Sequence, residues 1–312
     1  MGLIFYMLFK GTLNLILNPG AQPALAPIFP GVNIPGMPSL SFWHWIVAIL
    51  ILAVIHEFSH GFVSRLYNIK VKSSGFAFLG PILAAFVEPD EKQLSKSSKK
   101  AQLSVYAAGP FMNIITGIIF LLIFNLLVFS GVQTVAITEN SPAYYAGFEN
   151  GEQILEINGN KIEYTSDFRD SLNELKPNQE VKIKTNENEY LITSAESPKD
   201  PAVGYLGLTV DMIYPTHSSF FKGFLVWIRM LFYWLFVASV GVGLFNLLPL
   251  GPVDGGKMLY TALLGVTKKE KLSRKIWLGF SSVCLLLIII NLLPWIYKLL
   301  VFLIKPLALL IM

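Results

Sequence analysis

The sequence predicts a polytopic α-helical membrane protein with a small α+β domain inserted between its helices. Three observations carry that expectation. The 312-residue chain is 54 % hydrophobic with a positive mean hydropathy, too apolar for a soluble protein of its size. Its apolar residues gather into runs of about 18 to 25 with few charges, the length that crosses a bilayer as helix. Between two of those runs the composition turns polar and acidic, over a stretch long enough for one small domain.

Taken in order, the first segment, Gly2 to Leu17, is short and carries Lys10 near its middle. Ala24-Leu25-Ala26 downstream resembles a signal-peptidase site, yet no basic residue precedes the apolar run and the Pro-rich stretch reads equally well as a loop. An uncleaved anchor is the expectation. Phe42 to Tyr67, Gln102 to Ser130 and Phe221 to Leu248 read as spans. Ile276 to Met312 is long enough for two short spans with a turn at Asn291 to Trp295, which brings the expected total to about six. Ser73 to Val87 is apolar but too short to span, and Gly80-Pro81 divides it into two extended halves. The single cysteine, Cys284, lies in an apolar run and has no partner for an internal disulfide, so packing is its expected role.

Charge gives the orientation. No Lys or Arg occurs between Asn18 and Phe42, whereas Arg65, Lys70, Lys72, Lys92, Lys96, Lys99 and Lys100 follow the second segment. Lys257, Lys268, Lys269, Lys271, Arg274 and Lys275 follow the fourth. Both basic connections should be cytoplasmic. Gly131 to Ser219 holds six basic and fourteen acidic residues and should face outward. Arg229, a few residues into the fourth span, is expected to snorkel to the outer interface.

Within the second span stands His56-Glu57-Phe58-Ser59-His60. Two imidazoles four residues apart share one face of a helix and can bind one metal ion, and Glu57 beside them can take a proton from water. Ionisable groups inside a membrane segment cost at least about 2.5 to 3.5 kcal/mol each at the bilayer centre, so a cluster there calls for a compensating partner. Catalytic zinc takes three protein ligands and keeps one position open. His44 lies twelve residues before His56, roughly 18 Å along a helix and out of reach. His217 sits at the outer end of the fourth span, on the wrong side. Asp254 is at the right depth, because Pro249, Gly251, Pro252, Gly255 and Gly256 break the helix around it and let a side chain turn inward. Its bland role is to cap the next helix. Glu88, Asp90 and Glu91 are rival ligands on the cytoplasmic side.

The His-Glu-x-x-His span is followed by one opening with Ala107-Ala108-Gly109-Pro110-Phe111-Met112-Asn113, then by an Asn-x-x-Pro-(x)4-Asp-Gly stretch from Asn246 to Gly255. In that order the chain resembles the site-2 protease family of intramembrane zinc metalloproteases, most closely its archaeal forms. The resemblance runs from about Asn18 to Gly256 and implies His56, His60 and Asp254 as ligands of one Zn2+ and Glu57 as general base. It assigns Asn246 to handling the substrate backbone or oxyanion. Asn113 matches a position that either touches substrate or packs helices. The family likeness also implies that Ser73 to Val87 is a membrane-embedded hairpin whose edge accepts an extended substrate strand; a loop lying on the bilayer surface is the alternative.

Ser141-Pro142-Ala143-Tyr144-Tyr145-Ala146-Gly147-Phe148 followed by Gly151 to Gly159 resembles a PDZ domain. Gly204-Tyr205-Leu206-Gly207-Leu208 resembles the carboxylate-binding loop of circularly permuted PDZ domains, with Gly204, Leu206 and Gly207 as candidate peptide-binding positions. The expected domains are an N-terminal membrane region, 1–130, a PDZ-like domain, 131–213, and a C-terminal membrane region, 214–312. The function implied is cleavage of transmembrane protein substrates within their spans by a multi-pass cell-membrane protease. Its site lies near the cytoplasmic side and its PDZ-like domain outside, binding peptide C-termini or excluding bulky ectodomains. A catalytically silent PDZ-containing scaffold that binds membrane proteins is the alternative. Partners are the bilayer and membrane proteins, not nucleic acid.

Overall fold

The computed structural model describes every residue except 19, 80–81, 128–129, 174, 199, 215–218 and 312. His217 and the Gly80-Pro81 pair therefore lie outside the described residues. The chain forms two compact units, Met1–Leu126 with Trp227–Met312, and Leu127–Val226.

The first unit opens with α1 (Gly2–Leu17) and α2 (Phe42–Leu66). Ser41 caps α2, its Oγ accepting the His44 N–H at 3.3 Å, and Asn68 stops it in a left-handed conformation at φ 57°. Next come β1 (Val71–Leu79) and β2 (Ile82–Pro89), an antiparallel hairpin in register from Leu79↔Ile82 to Ser74↔Val87. These are the two extended halves expected of Ser73 to Val87. A short α3 (Glu91–Lys96), capped by Asp90, leads into α4 (Lys99–Leu126), which holds Pro110 in its interior.

The second unit runs through β3 (Val132–Ile137), α5 (Pro142–Tyr145), β4 (Gln153–Ile157), β5 (Asn160–Lys161), α6 (Thr165–Leu172), β6 (Glu180–Thr185), β7 (Glu189–Thr193), β8 (Ala195–Glu196), β9 (Gly204–Tyr205) and β10 (Leu208–Met212). Its main sheet has the order β10-β3-β4-β6-β7, with β5 beside β4, so β10 is an edge. Alternate residues of β6, Val181, Ile183 and Thr185, point into a core shared with Val132, Ala143, Ile154 and Ile157.

A carboxylate lies buried at one side of that core. Glu152 Oε1 accepts from the Tyr190 hydroxyl at 2.7 Å and the Glu149 N–H at 2.8 Å, while Oε2 accepts from the Thr185 hydroxyl at 2.6 Å. Burial, then the Glu152 hydrogen bond, pushes the Tyr190 hydroxyl above its ordinary value, so it stays a donor at neutral pH. Glu152→Ala should destabilise this unit by about 3 kcal/mol, since three donors lose their acceptor, read as a lower thermal midpoint in the full chain. Because the Tyr190 pKa is raised on folding, its share of stability is complete below the unfolded value of about 10 and is lost as pH climbs through the folded value.

Returning to the first unit, α7 (Ser219–Asn246), α8 (Asp254–Thr267) and α9 (Glu270–Ile311) complete the chain. Among the described residues four helices are long and apolar enough to cross a membrane, within Phe42–Leu66, Lys99–Leu126, Phe220–Asn246 and Glu270–Val301, with α1 shorter. These four do not confirm the expected count of about six: α1 is short, and the C-terminal tract is one helix, with no turn at Asn291 to Trp295. Asn291 is fully buried. Its amide donates to Thr12 Oγ1 at 2.6 Å and Leu287 O at 2.9 Å, and its Oδ1 accepts the Ala24 N–H at 2.8 Å. Trp295 Nε1 donates to Leu25 O at 2.9 Å. Residues that read locally as turn formers are polar contacts between α9 and the N-terminal segment, and the stretch resembling a signal-peptidase site is held by them. The Arg229 guanidinium stacks over the Phe124 ring at 4.5 Å.

Candidate metal centre

Three side chains from two helices meet inside the first unit. His56 Nε2 lies 3.1 Å from His60 Nε2 and 3.1 Å from Asp254 Oδ2, and His60 Nε2 lies 3.3 Å from the same oxygen. All three residues are less than a tenth exposed. The histidines come from one face of α2. Asp254 arrives because Pro249 and Pro252 end the preceding helix and α8 restarts at Asp254, with Val253 as its N-cap. Gly255 and Gly256 permit that restart: a Cβ on either would fall 2.3 Å and 2.0 Å from the carbonyl oxygens of Leu248 and Leu250. Of the rival carboxylates, Glu88 accepts from Ser73 and Asp90 caps α3, and neither joins the cluster.

The protonation pattern follows from the second partners of the rings. His60 Nδ1 lies 2.7 Å from Val105 O, which only accepts, so Nδ1 carries the proton and Nε2 presents a lone pair. His56 Nδ1 meets the Asn113 amide at 3.1 Å, and Asn113 is fully buried. The atom placed toward the ring is Nδ2, and Oδ1 has no partner among the described residues; with the two ends exchanged the amide would accept the Nδ1 proton and leave the His56 Nε2 lone pair facing the others. Two lone pairs and a carboxylate at this spacing repel one another unless a cation lies among them. A tetrahedral shell with bonds of about 2.0–2.1 Å has edges of about 3.3 Å, and the observed 3.1–3.3 Å triangle fits it. Gly109 on α4 leaves the room: a Cβ there would sit 2.5 Å from His60 Nε2 and 2.6 Å from His56 Nε2.

Glu57 points from α2 into a groove of about 710 Å³ shared with Val54, Phe58, Gly61, Phe86 and Val87. Its Oε2 accepts the Val87 N–H at 3.1 Å. Ser74↔Val87 is a pair whose amides face away from the hairpin, so the free edge of β2 is turned toward Glu57.

The other expected site residues are placed as follows. Asn246 ends α7, half-buried, and its side chain has no hydrogen-bond partner among the described residues. Asn113 stands behind His56. In the second unit, Gly204 donates its N–H to Leu175 O at 2.7 Å. The carbonyls of Leu206 and Gly207 accept from Ala143 and Thr138 at 2.9 Å each, which aims the following N–H groups, those of Gly207 and Leu208, the opposite way. The Val105 carbonyl, Gly109 and the Val87 amide escape a reading of the sequence. Only Gly109, a glycine before a proline within an apolar span, leaves a trace there.

The arrangement is that of a metal-dependent hydrolase centre of the zinc type, set on helices of membrane length. Residues 44–290 match the model of Peptidase family M50, and the chain belongs to that family, the site-2 proteases. An uncharacterized protein of Methanocaldococcus jannaschii is 34 % identical over 217 residues, covering 67 % of this chain and 54 % of its own length. The zinc metalloprotease RasP of Shouchella clausii is 27 % identical over 267 residues, 67 % of this chain and 62 % of that protein. A putative zinc metalloprotease of Clostridium perfringens is 33 % identical over 153 residues, 45 % of each chain. The chain thus spans between 45 % and 62 % of these relatives. A solved PDZ domain of an SdrC-like protein from Listeria innocua matches 28 % of this chain and 99 % of its own, with 27 % identity and a TM-score of 0.23.

Proposed function

We propose that this protein is a zinc-dependent endopeptidase that cuts transmembrane protein substrates within their membrane-spanning segments. The observation that carries the proposal is the meeting of His56, His60 and Asp254 as a ligand triangle beside Glu57, on helices long enough to cross a bilayer. Those three residues would hold the ion, which would supply the acidity of a bound water and the polarisation of a carbonyl. Val105 O and Asn113 keep both imidazoles turned with Nε2 inward. Glu57 takes the proton of the attacking water and returns it to the leaving amine.

A substrate helix hides its carbonyls in intrahelical bonds and must unwind before attack. The free edge of β2, with Ala85 and Val87 lining the groove that contains Glu57, offers the unwound strand a ladder. The alternation of that register turns the N–H groups of Ala85 and Val87 outward, on the side where the base stands. Asn246 is assigned to the substrate backbone, its amide being without another partner among the described residues. Sidedness follows from the basic connections, with the centre toward the cytoplasm and the second unit outside. That unit acts as a PDZ-like module. The outward N–H groups of Gly207 and Leu208 support capture of a peptide carboxylate there.

The test is proteolysis of a single-span substrate by the full chain in liposomes, with products mapped by mass spectrometry. Cleavage inside the span, lost on chelation and restored by zinc, is expected. Cleavage that survives chelation, or cuts only outside the span, would overturn the proposal. Metal retained with no cleavage of any span would favour the scaffold.

A further inference from the structure

The third ligand opens α8 directly after a loop that its own backbone secures only by local turns, Leu250 N–H to Leu248 O at 2.8 Å and Val253 N–H to Leu250 O at 3.2 Å. Between α7 and α8 the chain passes through Pro249, Gly251 and Pro252, and irregular backbone at membrane depth needs partners from elsewhere in the protein. Two come from α9. Trp277 Nε1–H donates to Gly256 O at 2.9 Å, and Ser281 Oγ–H donates to Pro249 O at 3.2 Å. These anchors fall on either side of Asp254, two residues after it and five before it. Trp277 and Ser281 are one turn apart on α9, and the same face continues to Cys284 and Ile288, which pack with Leu248 and Leu250. The indole also fills the space beside Gly251, where a Cβ would meet its ring at 3.2 Å, and its edge meets the Tyr260 ring at 5.8 Å between centroids. One helix face therefore grips the loop from Leu248 to Gly256 by two hydrogen bonds and a continuous apolar stripe.

We infer that Trp277 and Ser281 are positioning residues: they set where the Asp254 carboxylate stands against the two imidazoles without touching the centre themselves. The inference rests on the reading of His56, His60 and Asp254 as a metal centre. Without the α9 anchors the start of α8 would be held by the local turns of the Pro/Gly loop alone, and a centre loses affinity when its ligands must be ordered on binding. α9 thus acts as part of the metal site although it carries no ligand.

The experiment measures metal affinity of the full chain in detergent by competition with a chelating dye, together with the visible absorption of the cobalt-loaded protein. Trp277→Phe removes the N–H together with the outer indole carbons that lie beside Gly251; Ser281→Ala removes only the hydroxyl. Each should weaken zinc binding by about 10-fold, and the pair by up to about 100-fold, the range for partners that orient ligands, with a changed cobalt spectrum. Ser281→Thr should restore the wild-type value. Trp295→Phe is the control for general loosening, because it deletes an indole-to-carbonyl bond of the same 2.9 Å from the same helix, away from the loop. It should leave affinity unchanged. Equal affinities for wild type and the double variant, or an equal loss in Trp295→Phe, would overturn the inference. Should Trp277→Phe fail to fold, the Ser281→Ala and Ser281→Thr pair decides. Failure of the underlying centre looks different: wild type would bind no metal, or Asp254→Ala would bind it undiminished.

Discussion

Gly109→Ala is expected to yield a folded protein that holds no metal. The added methyl would lie 2.5 Å from His60 Nε2 and 2.6 Å from His56 Nε2, inside the space that the ligand triangle encloses with α4. No flexible side-chain end is available to yield: both rings are fixed at their second nitrogens, by Val105 O and by Asn113. Relief requires swinging the imidazoles out of the triangle or moving α4 away from α2. Either removes the arrangement that fits a cation. Metal affinity should fall by more than about 100-fold, beyond what loss of an orienting partner costs, and proteolysis should fall with it. The helix itself gains, since alanine is favoured over glycine in a helix interior by about 1 kcal/mol. A thermal midpoint that holds or rises while the metal-to-protein ratio drops to near zero separates this effect from misfolding. Wild-type stoichiometry in the variant would mean that α4 does not close over the histidines as described.

The second large effect is expected of Glu57→Gln, with the opposite signature. Here metal content should stay at the wild-type ratio, because Glu57 is not among the three clustered ligands. Glutamine also keeps an oxygen that can accept the Val87 N–H, so the hairpin edge has no reason to shift. What is lost is a base able to take the proton from water, and positioned general bases contribute about 10²- to 10⁴-fold. Turnover should fall by about 10³-fold with little change in KM, the pattern of an interaction made in the transition state. Single-turnover cleavage of the liposome substrate, beside metal analysis of the same sample, checks both halves. A variant that cuts at the wild-type rate would remove Glu57 from the reaction. One that also loses its metal would make it a ligand instead.

Some of this was readable from the chain alone, for a definite reason. His56, Glu57 and His60 are neighbours on one helix, and helical spacing is a local property that residues four apart cannot escape. Asp254 was readable because prolines and glycines announce a broken helix. The hairpin strands were likewise visible as apolar halves too short to span. Asn291 and Trp295 misled for the same kind of reason: an asparagine three residues before a Pro-Trp pair looks like a turn when only its neighbours in sequence are considered. In the fold, Thr12, Ala24 and Leu25 satisfy those polar groups, and α9 continues through them.

What the amino-acid order determined on its own was the membrane class, the histidine pair on one helix face with Glu57 beside it, and the broken helix before Asp254, all consequences of local periodicity and composition. Only the tertiary structure decided that Gly109 lies over the two imidazoles, that Val105 O and Asn113 meet their second nitrogens, that Val87 turns its amide to Glu57, and that α9 meets the loop before Asp254. Each of these depends on how far one helix slides or rotates against another. A shift of one residue between packed elements changes every such partner while leaving the pattern of hydrophobic and polar residues intact.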